Sequence, residues 1–289
     1  MPIYALLGAT GATGSSILRC LLSDPPPNLQ LNILVRSKTK LLSSFPDLTI
    51  PRQNPTINLF EGDATSPTAL LPCLTSATTI FLCIGTNTST AGSTLYTSTT
   101  TALITTLSTL RSQQTILYHP PTVLQLRSAS LNPPLAAQVP AFVHKTVLFC
   151  LHHAYTDLRR ACTLYPDAFD AGLLDYILID PPTLHHSPAS GYALIGEEGK
   201  QAVALGYEDL GAAMCEIARN GGEGLFGKGV GVGATGRVRG SWGGLVAHLV
   251  KGGWGRVREG VGRGVPWLYG PMAPYFVMGM YGGHWGAGS

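Results

Sequence analysis

Three groups of residues in this sequence have types and spacings that could do chemistry. The run Gly8-Ala9-Thr10-Gly11-Ala12-Thr13-Gly14 sets three glycines at three-residue intervals, with two threonines among them. Such glycines let a backbone turn sharply and approach a pyrophosphate. The threonine hydroxyls and the free N–H groups of a following helix can hydrogen-bond the phosphate oxygens. A second group is Arg36 with Lys38 and Lys40 just beyond it. An acid about 20 residues past such glycines would bind the ribose 2′-hydroxyl of NAD, whereas an arginine accommodates the 2′-phosphate of NADP. No acid stands beside Arg36, so Arg36 and Lys40 favour NADP(H) over a plain solvated basic loop. The third group is His152, Tyr155 and Arg159, whose three- and four-residue steps put them on one side of a helix. A phenol and an imidazole can exchange protons, and a guanidinium supplies charge and donors but not a base. A packed tyrosine and a solvated histidine are the bland alternatives. The pairs His152-His153 and His185-His186 invite a metal. Neighbours on a helix point about 100° apart and no third ligand is evident, so no metal site is expected.

These groups need elements to hold them. The glycine run must leave a strand and enter a helix. Ile3-Tyr4-Ala5-Leu6-Leu7 is an apolar run of strand length, and Ile17, Leu18, Leu21 and Leu22 carry the helical period after it. Further apolar runs predict strands at 31–35, 57–64, 79–85, 122–127 and 175–180. Ile84 and Gly85 end the near-continuously apolar run 79–85, where a glycine allows close approach to a cofactor. Residues 94–110 are rich in threonine, a poor helix former. Leu103, Leu107 and Leu110 still mark one helical face, and a parallel sheet needs a crossover there. One long helix is expected over residues 142–165 and another over 208–219, the latter opening on two acids. Residues 184–205 read as irregular, partly strand-like loops.

Charged residues make up only 12% of the chain and the formal net charge is +3, which alone says little; no nucleic-acid partner is expected. Residues 221–289 hold 23 of the 35 glycines and all four tryptophans, Trp242, Trp254, Trp267 and Trp285. Pro266, Pro271 and Pro274 interrupt its charge-free end well short of a membrane span, so a docked flap or interface element is expected there rather than an anchor. The six cysteines lack Cys-x-x-Cys spacing and read as reduced thiols. With no basic and apolar leader ahead of the first strand, a cytoplasmic protein is expected.

Seven short stretches, in order, resemble the NmrA-like branch of the atypical short-chain dehydrogenase/reductases. They are the glycine run, Leu34-Val35-Arg36-Ser37, Gly62-Asp63-Ala64, Ser128-Ala129-Ser130, Tyr155 with Leu158-Arg159-Arg160, Ile179-Asp180-Pro181-Pro182, and Gly206-Tyr207-Glu208-Asp209-Leu210. The resemblance covers residues 1–220. It implies an α/β fold: a doubly wound parallel-sheet Rossmann core over residues 1–183, with contributions from 203–219. A small C-terminal substrate-side lobe would occupy 184–289. It also implies an NADP(H) site drawing on Gly8, Thr10, Gly11, Ala12, Thr13, Gly14, Arg36, Lys40, Asp63, Ala64, Ile84, Gly85, Arg159, Pro181 and Thr183.

In that superfamily a serine polarises the substrate oxygen and a tyrosine transfers the proton. A lysine four residues later binds the nicotinamide ribose and lowers the tyrosine pKa. The resemblance puts the tyrosine at Tyr155 and the serine at Ser128 or Ser130, with Ser128 preferred for its place at a strand end. Arg159 stands where the lysine belongs, and His152 could stand in as acid or base. The function so implied is an NADP(H)-dependent oxidoreductase for the carbonyl or alcohol of a small, largely apolar molecule of specialised metabolism. Two other readings stay open: a non-redox isomerase, dehydratase or cyclase on the same scaffold, and a dinucleotide-sensing regulator. A homodimer is compatible with either.

Overall fold

The computed structural model describes residues 1–50, 53–86, 88–113, 118–196, 199–238 and 253. The expected strands appear as β1 (Ile3–Leu7), β2 (Gln30–Val35), β3 (Thr56–Glu61), β4 (Thr79–Leu82), β5 (Thr122–Leu126) and β6 (Asp175–Asp180). Beyond them come β7 (Thr183–His185), β8 (Tyr192–Ile195), β9 (Ala204–Gly206) and β10 (Gly229–Ala234). Eight strands join in the order β3-β2-β1-β4-β5-β6-β10-β8, and β7 pairs with β9 apart from them. Every pairing in the large sheet is parallel except that of β10 with β8. The chain winds outward from β1 in both directions, so the α/β doubly wound arrangement is the one observed. Its reversal of direction lies between β1 and β4, where open parallel sheets leave a crevice beyond their carboxyl ends.

Helices cover both faces because successive strand residues point to opposite sides. Tyr4 and Leu6 pack with Ile17, Leu18 and Leu21 of α1 (Ala12–Ser23) and with Leu41 of α2 (Lys38–Ser44). Ala5 and Leu7 face the other way, toward Leu70 of α3 (Pro67–Leu74) and Leu103 and Leu107 of α4 (Leu95–Gln113). The threonine-rich α4 forms despite its propensity. Its apolar face is sealed against the sheet, and Asp157 accepts hydrogen bonds from the N–H groups of Tyr96 (2.8 Å) and Thr97 (3.2 Å) at its first turn.

The single helix expected over residues 142–165 is in fact broken. After the short turn α5 (Pro133–Ala136) come α6 (Ala141–Cys150), α7 (His152–Cys162) and α8 (Tyr165–Asp170). The break falls at Leu151, where the His153 N–H turns to the Ser89 hydroxyl at 3.0 Å. A side chain entering the backbone ladder in this way kinks a helix. The helix α9 (Tyr207–Arg219) packs on α1 so closely that a Cβ on Gly211 would lie 2.8 Å from the Ser16 carbonyl carbon.

The strand β10 has no counterpart among the expected elements. Val230 and Val232 are buried in the core beneath α9, but glycines alternate with them and glycine weakens a strand signal. The sheet thus takes β8 and β10 from the stretch assigned to the substrate-side lobe. The four tryptophans and the expected flap lie outside the described residues. Among the described residues no helix is long and apolar enough to cross a membrane.

Candidate functional site

The carboxyl ends of β1, β4, β5 and β6 lie side by side, since these neighbours are parallel. Gly8, Ile84 and Gly85, Ser128, and Pro181 follow those four ends, so the fold gathers them on one edge. Gly8 has φ +94°, and a Cβ there would lie 2.7 Å from the Cys83 carbonyl oxygen at the exit of β4. A Cβ on Gly14 would overlap the Gly8 carbonyl. Gly11 caps α1 with no side chain in the way and donates to the Gly8 carbonyl at 3.0 Å. The first N–H groups of α1, at Ala12, Thr13 and Gly14, have no partner within the helix and carry the positive end of its dipole. Only glycine at 8 and 14 lets the chain close this tightly on itself and on the exit of β4, and the turn leaves those N–H groups as a backbone cradle that fits a pyrophosphate. Thr10 is exposed beside it and Thr13 is buried.

Arg36 is exposed at the end of β2, and the Asp63 carboxyl past β3 lies close enough to feel its charge. Hydrogen bonds from the Thr65 N–H and hydroxyl, both 2.8 Å, are the main reason the Asp63 carboxyl is held below its usual range; Arg36 adds to them. Ser37 starts α2 by accepting the Lys40 N–H at 3.2 Å, leaving the Lys40 side chain exposed. Glu61 accepts the Lys38 N–H at 3.2 Å, so one carboxylate also borders this basic corner. On the inner side, a Cβ on Gly85 would lie 3.1 Å from the Tyr96 hydroxyl, which in turn accepts the Thr86 N–H at 3.1 Å.

On the same strand edge as the cradle, the Ser128 and Tyr155 hydroxyls are 3.0 Å apart. Of the two candidate serines, Ser128 also accepts the Ser130 N–H at 3.3 Å, while the Ser130 hydroxyl bears on the same phenol. Tyr155 is half-buried. Burial pushes its hydroxyl above the ordinary phenol range, against the pull of Ser128, Ser130 and the Arg159 charge. Arg159 is exposed one turn further along α7. His152 is also exposed, at the start of α7, with its ring 5.1 Å from that of His153. Thr183 opens β7, and the Pro181 carbonyl accepts the Ala129 N–H at 3.0 Å. Ala64 is buried behind Asp63. Among the described residues no three His, Cys, Asp or Glu side chains gather as a metal site.

One feature beside this pair escaped sequence reasoning. Asp180 is fully buried and accepts a forked pair of hydrogen bonds from Arg127, Nε to Oδ1 at 2.6 Å and Nη2 to Oδ2 at 2.5 Å. Asn132 adds a third donor at 2.7 Å. Burial pushes the carboxyl up, while the guanidinium, Asn132 and the Ser128 N–H favour its charged form. Both Arg127 and Asp180 lie within recognisable stretches of the sequence. Nothing in their local spacing says that they meet.

The sequence pattern of the NAD(P)H-binding family matches residues 8–220. The chain belongs to that family. An averufin oxidase of Aspergillus flavus is 53% identical over 262 residues, covering 90% of this chain and 92% of its own length. An averufin oxidase of Emericella nidulans is 51% identical over 279 residues, covering 91% and 92%. Among solved structures, a short-chain dehydrogenase/reductase from Veillonella parvula superposes with a TM-score of 0.57 at 18% identity, over 82% of this chain and 96% of that one. A second from the same organism, in complex with NADP, gives 0.54 at 16%, over 82% and 97%. The resemblance and the Rossmann fold drawn from the sequence are therefore borne out. This member of the NAD(P)H-binding family is an oxidoreductase, as its relatives are.

Proposed function

We propose that this chain is an NADP(H)-dependent oxidoreductase acting on the carbonyl or alcohol of a small, largely apolar molecule of specialised metabolism. Averufin, the compound in the names of its relatives, is the first substrate to test. The observation that carries this reading is the 3.0 Å contact between the Ser128 and Tyr155 hydroxyls at the edge that also holds the glycine cradle. Two hydroxyls so placed can bind one substrate oxygen between them.

Each residue then has a task. The N–H groups of the first turn of α1 hold the pyrophosphate, with the threonines beside them. Arg36 pairs with the 2′-phosphate, and Lys40 adds charge at the exposed corner. A dinucleotide held there would supply the nicotinamide for hydride transfer. Ser128 holds the substrate oxygen and orients it. The Tyr155 hydroxyl, which burial pushes further above the ordinary phenol range, donates to a carbonyl oxygen as that oxygen gains charge. Arg159 donates to the nicotinamide ribose and steadies the phenolate that Tyr155 becomes. An arginine there fixes and stabilises without joining a proton relay, since it does not release its own proton. Thr183 adds to the cofactor site, and the described residues from 184 onward form the substrate side.

The test follows the fluorescence of bound NADPH as averufin or another candidate is added. Oxidation of the cofactor with matching product supports the reading. Product without cofactor oxidation replaces it with an isomerase or dehydratase activity. Tight dinucleotide binding with no turnover on any candidate favours a sensing role.

A further inference from the structure

We propose that Asp180 is a positioning residue: its carboxylate fixes the turn that carries Ser128 and so sets the contact between Ser128 and Tyr155. This rests on the reading of those two hydroxyls as the reacting pair.

The turn leaves β5 at Arg127 and ends at Asn132, and side chains from both ends donate to the one carboxylate. The Ser128 N–H bears on it as well. Main-chain bonds run alongside, from the Arg127 N–H to the Ile179 carbonyl (2.7 Å) and from the Ala129 N–H to the Pro181 carbonyl (3.0 Å). Ser128 is therefore held on either side by residues anchored to 179–181. The far side of Asp180 is held too, because Gln201 Nε2 donates to its carbonyl at 2.7 Å. Gly229 closes the top: a Cβ there would lie 2.6 Å from Asp180 Oδ2 and 2.8 Å from Asn132 Nδ2.

A buried ion pair is a poor source of stability, since apolar residues of the same volume commonly do as well. What it supplies is direction. Three donors converge on two oxygens and permit one arrangement of the turn, a degree of order that a greasy contact would not impose. The consequence falls on Ser128, whose hydroxyl oxygen accepts the Ser130 N–H and keeps its proton and a second lone pair for Tyr155 or a substrate oxygen.

The experiment reads the Tyr155 13Cζ NMR resonance in ligand-free protein, assigned by its loss in Tyr155→Phe. Ser128→Ala removes the hydroxyl partner and moves that resonance. Asp180→Asn is expected to move it the same way, and the double variant no further than Ser128→Ala alone. With substrate, Asp180→Asn is expected to lower kcat by about 10²-fold with the KM for NADPH unchanged. The idea is overturned if folded Asp180→Asn keeps the wild-type Tyr155 resonance, or if the two shifts simply add. Should Asp180→Asn fail to fold, Asn132→Ala, which removes one donor and keeps the ion pair, is judged by the same resonance. Because that readout needs no substrate, a wrong reading of the reaction, seen as full activity in Tyr155→Phe, stays distinct from a wrong assignment of Asp180.

Discussion

Asp157 Oδ2 accepts the main-chain N–H of Tyr96 at 2.8 Å across 61 residues of sequence. The same carboxylate takes the Thr97 N–H and hydroxyl, so a side chain of α7 caps α4. Tyr96 passes the connection on, its hydroxyl accepting the Thr86 N–H just beyond Gly85. The helix that carries Tyr155 is thereby tied to the loop at the end of β4. Asp157→Ala is expected to destabilise the fold by about 1–3 kcal/mol, through the lost cap and the N–H groups left without it. Thermal unfolding checks this, with a fall of roughly 2–4 °C per kcal/mol expected for a domain of this size. An unchanged midpoint would show that the cap contributes nothing.

Cofactor choice is expected to depend on Arg36. A charge-assisted contact to the 2′-phosphate contributes about 1.5–3 kcal/mol, or roughly 10- to 150-fold in affinity. Arg36→Glu should weaken NADPH by that factor while leaving NADH nearly untouched, as isothermal titration would record. Equal loss for both, or a native preference for NADH, contradicts the NADP(H) reading.

Tyr155→Phe removes one hydroxyl and leaves the ring to pack. Turnover should fall by about 10²–10⁴-fold with dinucleotide affinity unchanged. Arg159→Ala should weaken dinucleotide binding as well, because its expected partner is the ribose. Arg159→Lys should stay active. Full activity in Tyr155→Phe together with a dead Arg159→Lys would move the chemistry to Arg159 or His152.

The cysteines should differ sharply in reactivity. The Cys20 thiol on α1 is pulled down to about 7, first by its hydrogen bond with Cys215 and then, against burial, by the nearby Arg219 charge. Burial instead pushes Cys73 and Cys83 up to about 12, and Cys150 and Cys162 up to about 11. The thiolate is the reactive form and Cys20 is half-buried, so Cys20 should be the first thiol alkylated in the native protein. Its rate should climb as pH rises through about 7 and level off above it, as peptide mass spectrometry after brief iodoacetamide treatment would show. A rate that keeps climbing past the ordinary thiol range of about 8.5 would rule out the lowered value.

The amino-acid order alone determined those features whose signal is local. A glycine turn between an apolar run and an amphipathic run announces itself within 20 residues, and so does the shared side of Tyr155 and Arg159 one helical turn apart. The apolar run 175–180 coincides with β6 for the same reason. Tertiary structure decided what depends on partners far apart in sequence. Glycines hide β10 until Val230 and Val232 are seen under α9, and nothing near residue 151 predicts a break that the Ser89 hydroxyl makes. The sequence prefers Ser128 over Ser130 only for its place at a strand end. Their geometry differs, and the Ser128 turn carries Arg127 and Asn132, whose shared partner Asp180 lies 53 and 48 residues away. A buried polar group is tolerated only where its donors and acceptors are met, and which groups meet is settled by the packing of whole elements, not by the residues beside them.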